Sequence, residues 1–332
     1  MKKIGLLFLL LQISCASQKS AKINGVSFVS SREKATQENV NNVLNIYANH
    51  AAVMPFGFIR DINSPEIFFN TERQWFGETK NGAEQYVNIL HKNKVKVMLK
   101  PQIWIRRGEF TGTLKMKTEQ DWVALENSYE KFIITYAQLA KESKIELFCI
   151  GTELEQFVVH RPDYWRQLIT KIRSIYKGKL TYAANWDEYP KVPFWKELDF
   201  IGVDAYFPLC ESKTPTVEEL KQGWQPWKIK MKAISDSNNK PIIFTEYGYR
   251  SVDYTAKKPW TVDRTDEAVN LKAQANAKEA IFSEFWQEDW FAGGYVWKWF
   301  LDYKNVGGEK DNRFTPQNKP AEKIIKSFYK NN

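Results

Sequence analysis

From residue 23 onward the chain alternates short, nearly continuous apolar runs with longer stretches whose apolar residues recur three and four positions apart. The short runs cover 23–29, 51–58, 94–104, 145–151, 180–184, 200–206, 241–245 and 293–297. The longer spacing predicts helices near 36–49, 82–93, 126–142, 162–176, 216–236 and 264–285, a short one near 193–197 and a last one near 319–329. Unbroken apolar runs are what strands buried on both faces look like. Eight strand-then-helix units with no Pro, Gly or Ser linker between them predict one α/β domain, a closed (β/α)8 barrel spanning 23–332. An open doubly wound sheet is the alternative, and no GxGxxG or phosphate-loop pattern supports it.

The first residues read differently. Lys2 and Lys3 precede an apolar stretch over 4–11 and small residues at Ser14, Cys15 and Ala16, the layout of a secretory signal. The stretch is too short to span a bilayer. Within it, Leu11-Gln12-Ile13-Ser14-Cys15 resembles a lipobox, with Gln12 standing where Leu is usual. Cleavage before Cys15 would remove 1–14, lipidate Cys15 and leave 15–22 as a polar tether; plain cleavage near Ala16 is the alternative. The expectation is a chain exported to the bacterial cell envelope, at the outer membrane or in the periplasm, and held by lipid alone. Secretion is the other outcome.

Composition narrows the chemistry. Thirteen Trp, 15 Tyr and 21 Phe stand out; most of them suit an aromatic-rich core, and a handful suit sugar contact, because aromatic faces also stack on sugar rings. Net charge is +9, with a local excess over 92–117, where only Glu109 offsets eight basic residues. That stretch suits either a solvated barrel surface or anionic glycan and lipid head groups. Nucleic acid is excluded as a partner for an exported chain with no nucleic-acid motif. Cys149 lies within a strand-like run and Cys210 follows one, so no disulfide framework is expected. His50, His91 and His160 fit no ligand spacing, which argues against a catalytic metal and against a Ser-His-Asp site.

In a barrel of this kind the active site gathers where strands end, so polar residues closing apolar runs are informative. The fourth run closes as Cys149-Ile150-Gly151-Thr152-Glu153-Leu154 and the seventh as Ile242-Ile243-Phe244-Thr245-Glu246-Tyr247-Gly248-Tyr249. Both deliver a glutamate to one rim, three strand–helix units of about thirty residues apart. Two carboxylates across a mouth are what glycoside cleavage requires. Arg60, Lys100, Gln102, Trp104, Asn185 and Trp186 also fall at predicted strand ends and are candidate sugar contacts. Glu155, two residues past the strand end, competes less well with Glu153 for the catalytic role.

These residues resemble a known family. Carboxylates ending strands four and seven are similar to clan A of the glycoside hydrolases, and Gly151-Thr152-Glu153-Leu154 with Thr245-Glu246-Tyr247-Gly248 resembles glycoside hydrolase family 113, the β-mannanases. The resemblance implies a retaining double displacement, with Glu153 as acid/base, Glu246 as nucleophile, a carboxyl separation of about 5 to 5.5 Å and no cofactor. It implies further that Tyr206 orients the nucleophile and that Trp297 underlies the cleaved sugar. Clan members usually carry Asn before the acid/base to reach the sugar 2-hydroxyl, and Thr152 occupies that place. The expected partner is a mannan-type polysaccharide or oligosaccharide. Another β-glycanase, such as a β-glucanase, and a non-catalytic glycan-binding lipoprotein remain as alternatives.

Mass spectrometry of the mature protein is expected to find a lipid-modified Cys15 at the N-terminus. An unmodified terminus beyond Cys15 refutes the tether.

Overall fold

The structure, a computed structural model, describes residues 21–261 and 267–332. The expected signal, Cys15, most of the tether and the start of the 264–285 helix lie outside the described residues. The chain forms β1 (Ile23–Phe28), α1 (Gln37–Leu44), β2 (His50–Val53), β3 (Phe56–Ile59), α2 (Lys80–Lys92), β4 (Lys96–Leu99), β5 (Gln102–Ile105) and α3 (Glu119–Glu142). It continues through β6 (Leu147–Thr152), α4 (Glu155–His160), α5 (Pro162–Ile175), β7 (Lys179–Asn185), β8 (Ile201–Ala205), α6 (Val217–Asn238), β9 (Ile242–Tyr247), α7 (Leu271–Phe285), β10 (Phe291–Trp299) and α8 (Pro320–Asn331). Eight strands close in the order β1-β10-β9-β8-β7-β6-β4-β2, every pair parallel, and the fold is a (β/α)8 barrel.

Two of the long apolar runs each divide in two. Val53 pairs with Leu99 and Phe56 with Gln102, so Pro55 lies opposite Pro101. Proline has no N–H to give the ladder, and two facing prolines end the barrel strands there. Beyond them β3 and β5 pair again as a separate two-stranded sheet. This extension carries Gln102 and Trp104 past the point where barrel strands two and three would have stopped.

The helix expected near 193–197 is a single 3-10 turn, Trp195–Glu197, preceded by another at Tyr189–Lys191. The fifth unit therefore contributes loop rather than helix to the outer ring. Helix α1 stops earlier than expected, at Leu44, because the chain turns through a positive φ of 59° at Tyr47. Helix α3 begins earlier, where the Thr118 hydroxyl accepts from the Asp121 N–H at 3.1 Å. The basic stretch 92–117 does not form one patch. It runs from the end of α2 up β4 and β5, with Lys100 buried midway and Arg106 and Arg107 exposed beyond β5.

The core has two parts. A shell between strands and helices takes most of the apolar residues, while Ala52, Met98, Leu147, Cys149, Ala183, Ile243 and Tyr295 fill the barrel interior. Side chains on a strand return to one face every second residue. Two positions beyond that plug stand Lys100, Asn185, Thr245 and Trp297, so polarity begins one layer above the apolar floor. The C-terminal helix closes the ring, with Tyr329 Oη donating to the Gly25 carbonyl at 2.7 Å and sharing a 2.7 Å hydrogen bond with Tyr247 Oη.

Gly151 allows three rings to converge beneath the end of β6. A Cβ there would meet Trp165 at 2.8 Å and both Tyr129 Oη and Tyr182 at 2.9 Å. These are rigid, buried rings, so Gly151→Ala is expected to cost about 1–3 kcal/mol by overpacking. Urea unfolding with an unchanged midpoint contradicts that account.

Candidate active site

The polar layer above the barrel floor is organised by Lys100. Its side chain is completely inaccessible, and its Nζ lies 2.5 Å from Glu246 Oε1 and 3.1 Å from both carboxylate oxygens of Asp204. Burial alone would drive the proton from Lys100, but Asp204 and Glu246 outweigh it and hold the ammonium above the ordinary lysine range. Strand register brings the two acids together, because Asp204 of β8 pairs with Glu246 of β9 across a local shift. The Thr245 hydroxyl donates to Asp204 Oδ1 at 2.7 Å. Burial first, and the charge of Glu246 second, raise the Asp204 proton affinity, while Lys100 and Thr245 oppose them.

Glu246 receives two further donors. Gln102 Nε2 approaches its Oε1 at 3.1 Å from the β5 extension, and Tyr206 Oη donates to its Oε2 at 2.7 Å. Burial, then the charges of Glu246 and Asp204, hold the Tyr206 phenol well above its usual range, so it stays a donor. Ammonium, amide and phenol thus fix both oxygens of one carboxylate. Charge-assisted donors of this kind are the strong ones.

Glu153 is treated in the opposite way. It sits half-buried just past β6, and among the described residues no side chain hydrogen-bonds its carboxyl. Burial, then the charges of Asp204 and Glu246, push its proton affinity well above the ordinary carboxyl range; Lys100 opposes this and Glu188 adds to it. The residue holds a left-handed φ of 49°. Such a conformation costs about 1–3 kcal/mol off glycine and persists where the surroundings enforce it. Here the Glu153 N–H donates to the Ala183 carbonyl at 2.8 Å.

The remaining expected contacts distribute around this centre. Trp104 lies two residues beyond Gln102 on the same face of β5 and is 51% exposed. Thr152 is half-buried at the end of β6. Trp297 ends half-buried on β10, with its carbonyl so near Gly248 that a Cβ there would lie 2.8 Å from it. Asn185 uses its amide oxygen to accept from the Trp186 N–H at 2.8 Å. Trp186 is stacked on Trp260 at 5.3 Å and 14°, which leaves Trp260, 45% exposed, as the outer ring of that pair. Arg60 is exposed, its guanidinium 4.4 Å from the centre of the Phe68 ring. Lys100, anticipated as a sugar contact, is instead sealed beneath Glu246, where its reach is spent on carboxylates.

Asp204, Glu188 and Trp260 escaped the sequence reading. For Asp204 a signal was present, since a lone acid in Ile201-Gly202-Val203-Asp204-Ala205 must find a buried cation. Trp260 lies in a loop after β9 that no periodicity marks. Both remaining cysteines are free, and among the described residues no group of three or more His, Cys, Asp or Glu is placed to hold a metal ion.

Replacing Lys100 by Met is expected to lower stability by about 3–5 kcal/mol, because two buried carboxylates lose their shared counter-charge. Asp204→Asn made together with Lys100→Met should recover part of that loss. Calorimetry showing no recovery argues against the shared-cation description.

A family model described as Glycoside Hydrolase Family 113 matches residues 27–319. The GH113 beta-mannanase AaManA from Alicyclobacillus acidocaldarius, solved in complex with ManMIm, superposes with a TM-score of 0.81 at 24% identity, over 93% of this chain and 97% of that one. A second GH113 beta-1,4-mannanase gives a TM-score of 0.81 at 22% identity, over 94% and 99%. A Faecalibacterium prausnitzii beta-glucuronidase gives 0.63 at 14%, covering 93% of this chain and 49% of that one. No curated protein sequence matches the chain. With its family model spanning nearly the whole barrel, the chain belongs to glycoside hydrolase family 113 and is a glycoside hydrolase.

Proposed function

We propose that the protein is a retaining endo-β-1,4-mannanase in which Glu246 is the nucleophile and Glu153 the acid/base. The observation that carries the roles is the unequal setting of the two carboxyls. Glu246 accepts from Lys100, Gln102 and Tyr206, which suits a group that works ionised and fixed. Glu153 has no such donors among the described residues and faces acids, which suits a group that starts protonated. Mannan as substrate is supported by the family and by the β-mannanases that share the fold.

In the first step a Glu246 oxygen bonds to the anomeric carbon while the bond to the leaving oxygen breaks, and Glu153 gives that oxygen its proton. In the second, Glu153 takes a proton from water, the water oxygen bonds to the anomeric carbon, and Glu246 departs as carboxylate. Trp297 offers a face beneath the cleaved sugar, and the exposed Trp104 and Trp260 offer faces for flanking sugars. The reading includes export and a lipid at Cys15, which would place this chemistry at the cell envelope.

The test is reducing-sugar release by the mature protein, beginning near Lys22, on mannans, glucans, xylans and anionic polysaccharides. Activity on mannan is expected, absent in Glu246→Ala. Glu153→Ala should lose about 10²–10⁴-fold on mannan, while on an activated 2,4-dinitrophenyl β-mannoside, whose departure needs no acid, azide should restore turnover and yield the β-glycosyl azide. Since the acid must be protonated and its proton affinity is raised, activity should persist above the ordinary carboxyl value of about 4.3 and fall only at higher pH. Glucan in place of mannan redirects the substrate; binding without hydrolysis of any polysaccharide overturns the enzymatic reading.

A further inference from the structure

The turn that presents Glu153 is held from the neighbouring loop. The Leu154 N–H donates to Tyr182 Oη at 2.6 Å, and Tyr182 Oη donates in turn to Glu188 Oε1 at 2.6 Å. The other oxygen, Glu188 Oε2, accepts the Asn185 N–H at 2.9 Å, and the Glu188 N–H returns to the Asn185 carbonyl at 2.9 Å. Glu188 is 1% exposed and Tyr182 fully buried. A buried carboxyl with no cation bonded to it among the described residues is costly, and here its two bonds go to groups on β7, the Tyr182 hydroxyl and the Asn185 N–H.

We propose that Glu188 is a positioning residue for Glu153, acting through Tyr182 to lock the turn that aims the Glu153 carboxyl into the barrel mouth. The inference rests on the reading of Glu153 as the acid/base. Two consecutive N–H groups, those of Glu153 and Leu154, are caught by β7: one by the Ala183 carbonyl and one by the Tyr182 hydroxyl. That double catch is what a left-handed glutamate needs, since no side chain among the described residues hydrogen-bonds its carboxyl. Without the second catch the turn relaxes, and the acid loses its line to the leaving oxygen. The pattern also fits the polarity of every group. The Leu154 and Asn185 N–H groups can only donate, the Tyr182 hydroxyl both accepts and donates, and the Glu188 carboxyl oxygens end the chain as acceptors. Burial first, with the charges of Glu155 and Asp204 behind it, pushes the Glu188 proton affinity up to about 8 against the hydrogen bonds from Tyr182 and Asn185, and Glu155 is itself paired with Lys191 at 2.9 Å.

The experiment compares two substrates in each of three variants, Glu188→Gln, Tyr182→Phe and the double. One is a β-1,4-mannooligosaccharide, whose leaving group needs a proton. The other is a 2,4-dinitrophenyl β-mannobioside, whose leaving group does not. For the oligosaccharide, kcat is expected to fall about 10- to 100-fold in each single variant, the scale of a misplaced catalytic group. KM should stay within about twofold, since ground-state binding is untouched. The aryl substrate should keep most of its glycosylation rate, and the double variant should be no worse than a single one, because both break one chain of contacts. The ratio of the two rates within one preparation does not depend on how much of it is folded. Equal losses on both substrates, or losses that add in the double variant, overturn the proposal. Wild-type protein inactive on both substrates instead overturns the underlying functional reading, which is settled before any variant is made.

Discussion

A lysine side chain with no exposed surface, bonded to two carboxylates, is the constraint around which the barrel mouth is arranged. Taking an ammonium out of water costs several kcal/mol, and it is tolerated only where opposite charge and hydrogen bonds replace the lost hydration. Lys100 finds them by reaching across the interior from β4 to β8 and β9. The pairing fixes the height of Glu246 above the apolar floor, and it fixes Asp204 as a permanent neighbour of both. Proline follows Lys100 and ends its strand, so the next residues are released to climb as β5 and bring Gln102 back onto the same carboxylate.

One consequence is a division of labour between two chemically identical side chains. Glu246 lies where positive charge and donors converge. Glu153, on the far side of the same mouth, feels Asp204 and Glu246 as negative charges and has Lys100 only at second hand. Environment alone raises the proton affinity of Glu153 and surrounds Glu246 with donors. The left-handed backbone at Glu153 belongs to this arrangement, because a carboxyl that no side chain among the described residues hydrogen-bonds must be aimed by its main chain.

Aromatic residues serve at both depths. Trp165, Tyr182 and Phe194 pack edge-on or stacked within the shell, and Trp165, Tyr182 and Tyr129 press so closely on Gly151 that the turn bearing Glu153 has a rigid base. Trp104 and Trp260 stand at the rim with nearly half or more of their surface exposed. The same chemistry that stabilises the wall thus leaves flat apolar faces along the mouth of a glycoside hydrolase.

What the sequence by itself determined is what local pattern can carry: eight apolar runs, the helices between most of them, and two glutamates each closing a run. A strand buried on both faces has no other way to look, and a polar residue at its end is conspicuous. The fifth unit defied the pattern because Trp195 and its neighbours are apolar enough for a helix but too few to propagate one. The paired prolines, although visible, did not reveal that β3 and β5 would pair again, since register is a relation between strands. Only tertiary structure decided that Lys100 faces inward on acids rather than outward on sugar, that Trp260 covers Trp186, and that Glu188 reaches Glu153's turn through Tyr182. Each of these depends on distances between segments far apart in the chain, and electrostatic and packing energies are set by those distances rather than by order along the sequence.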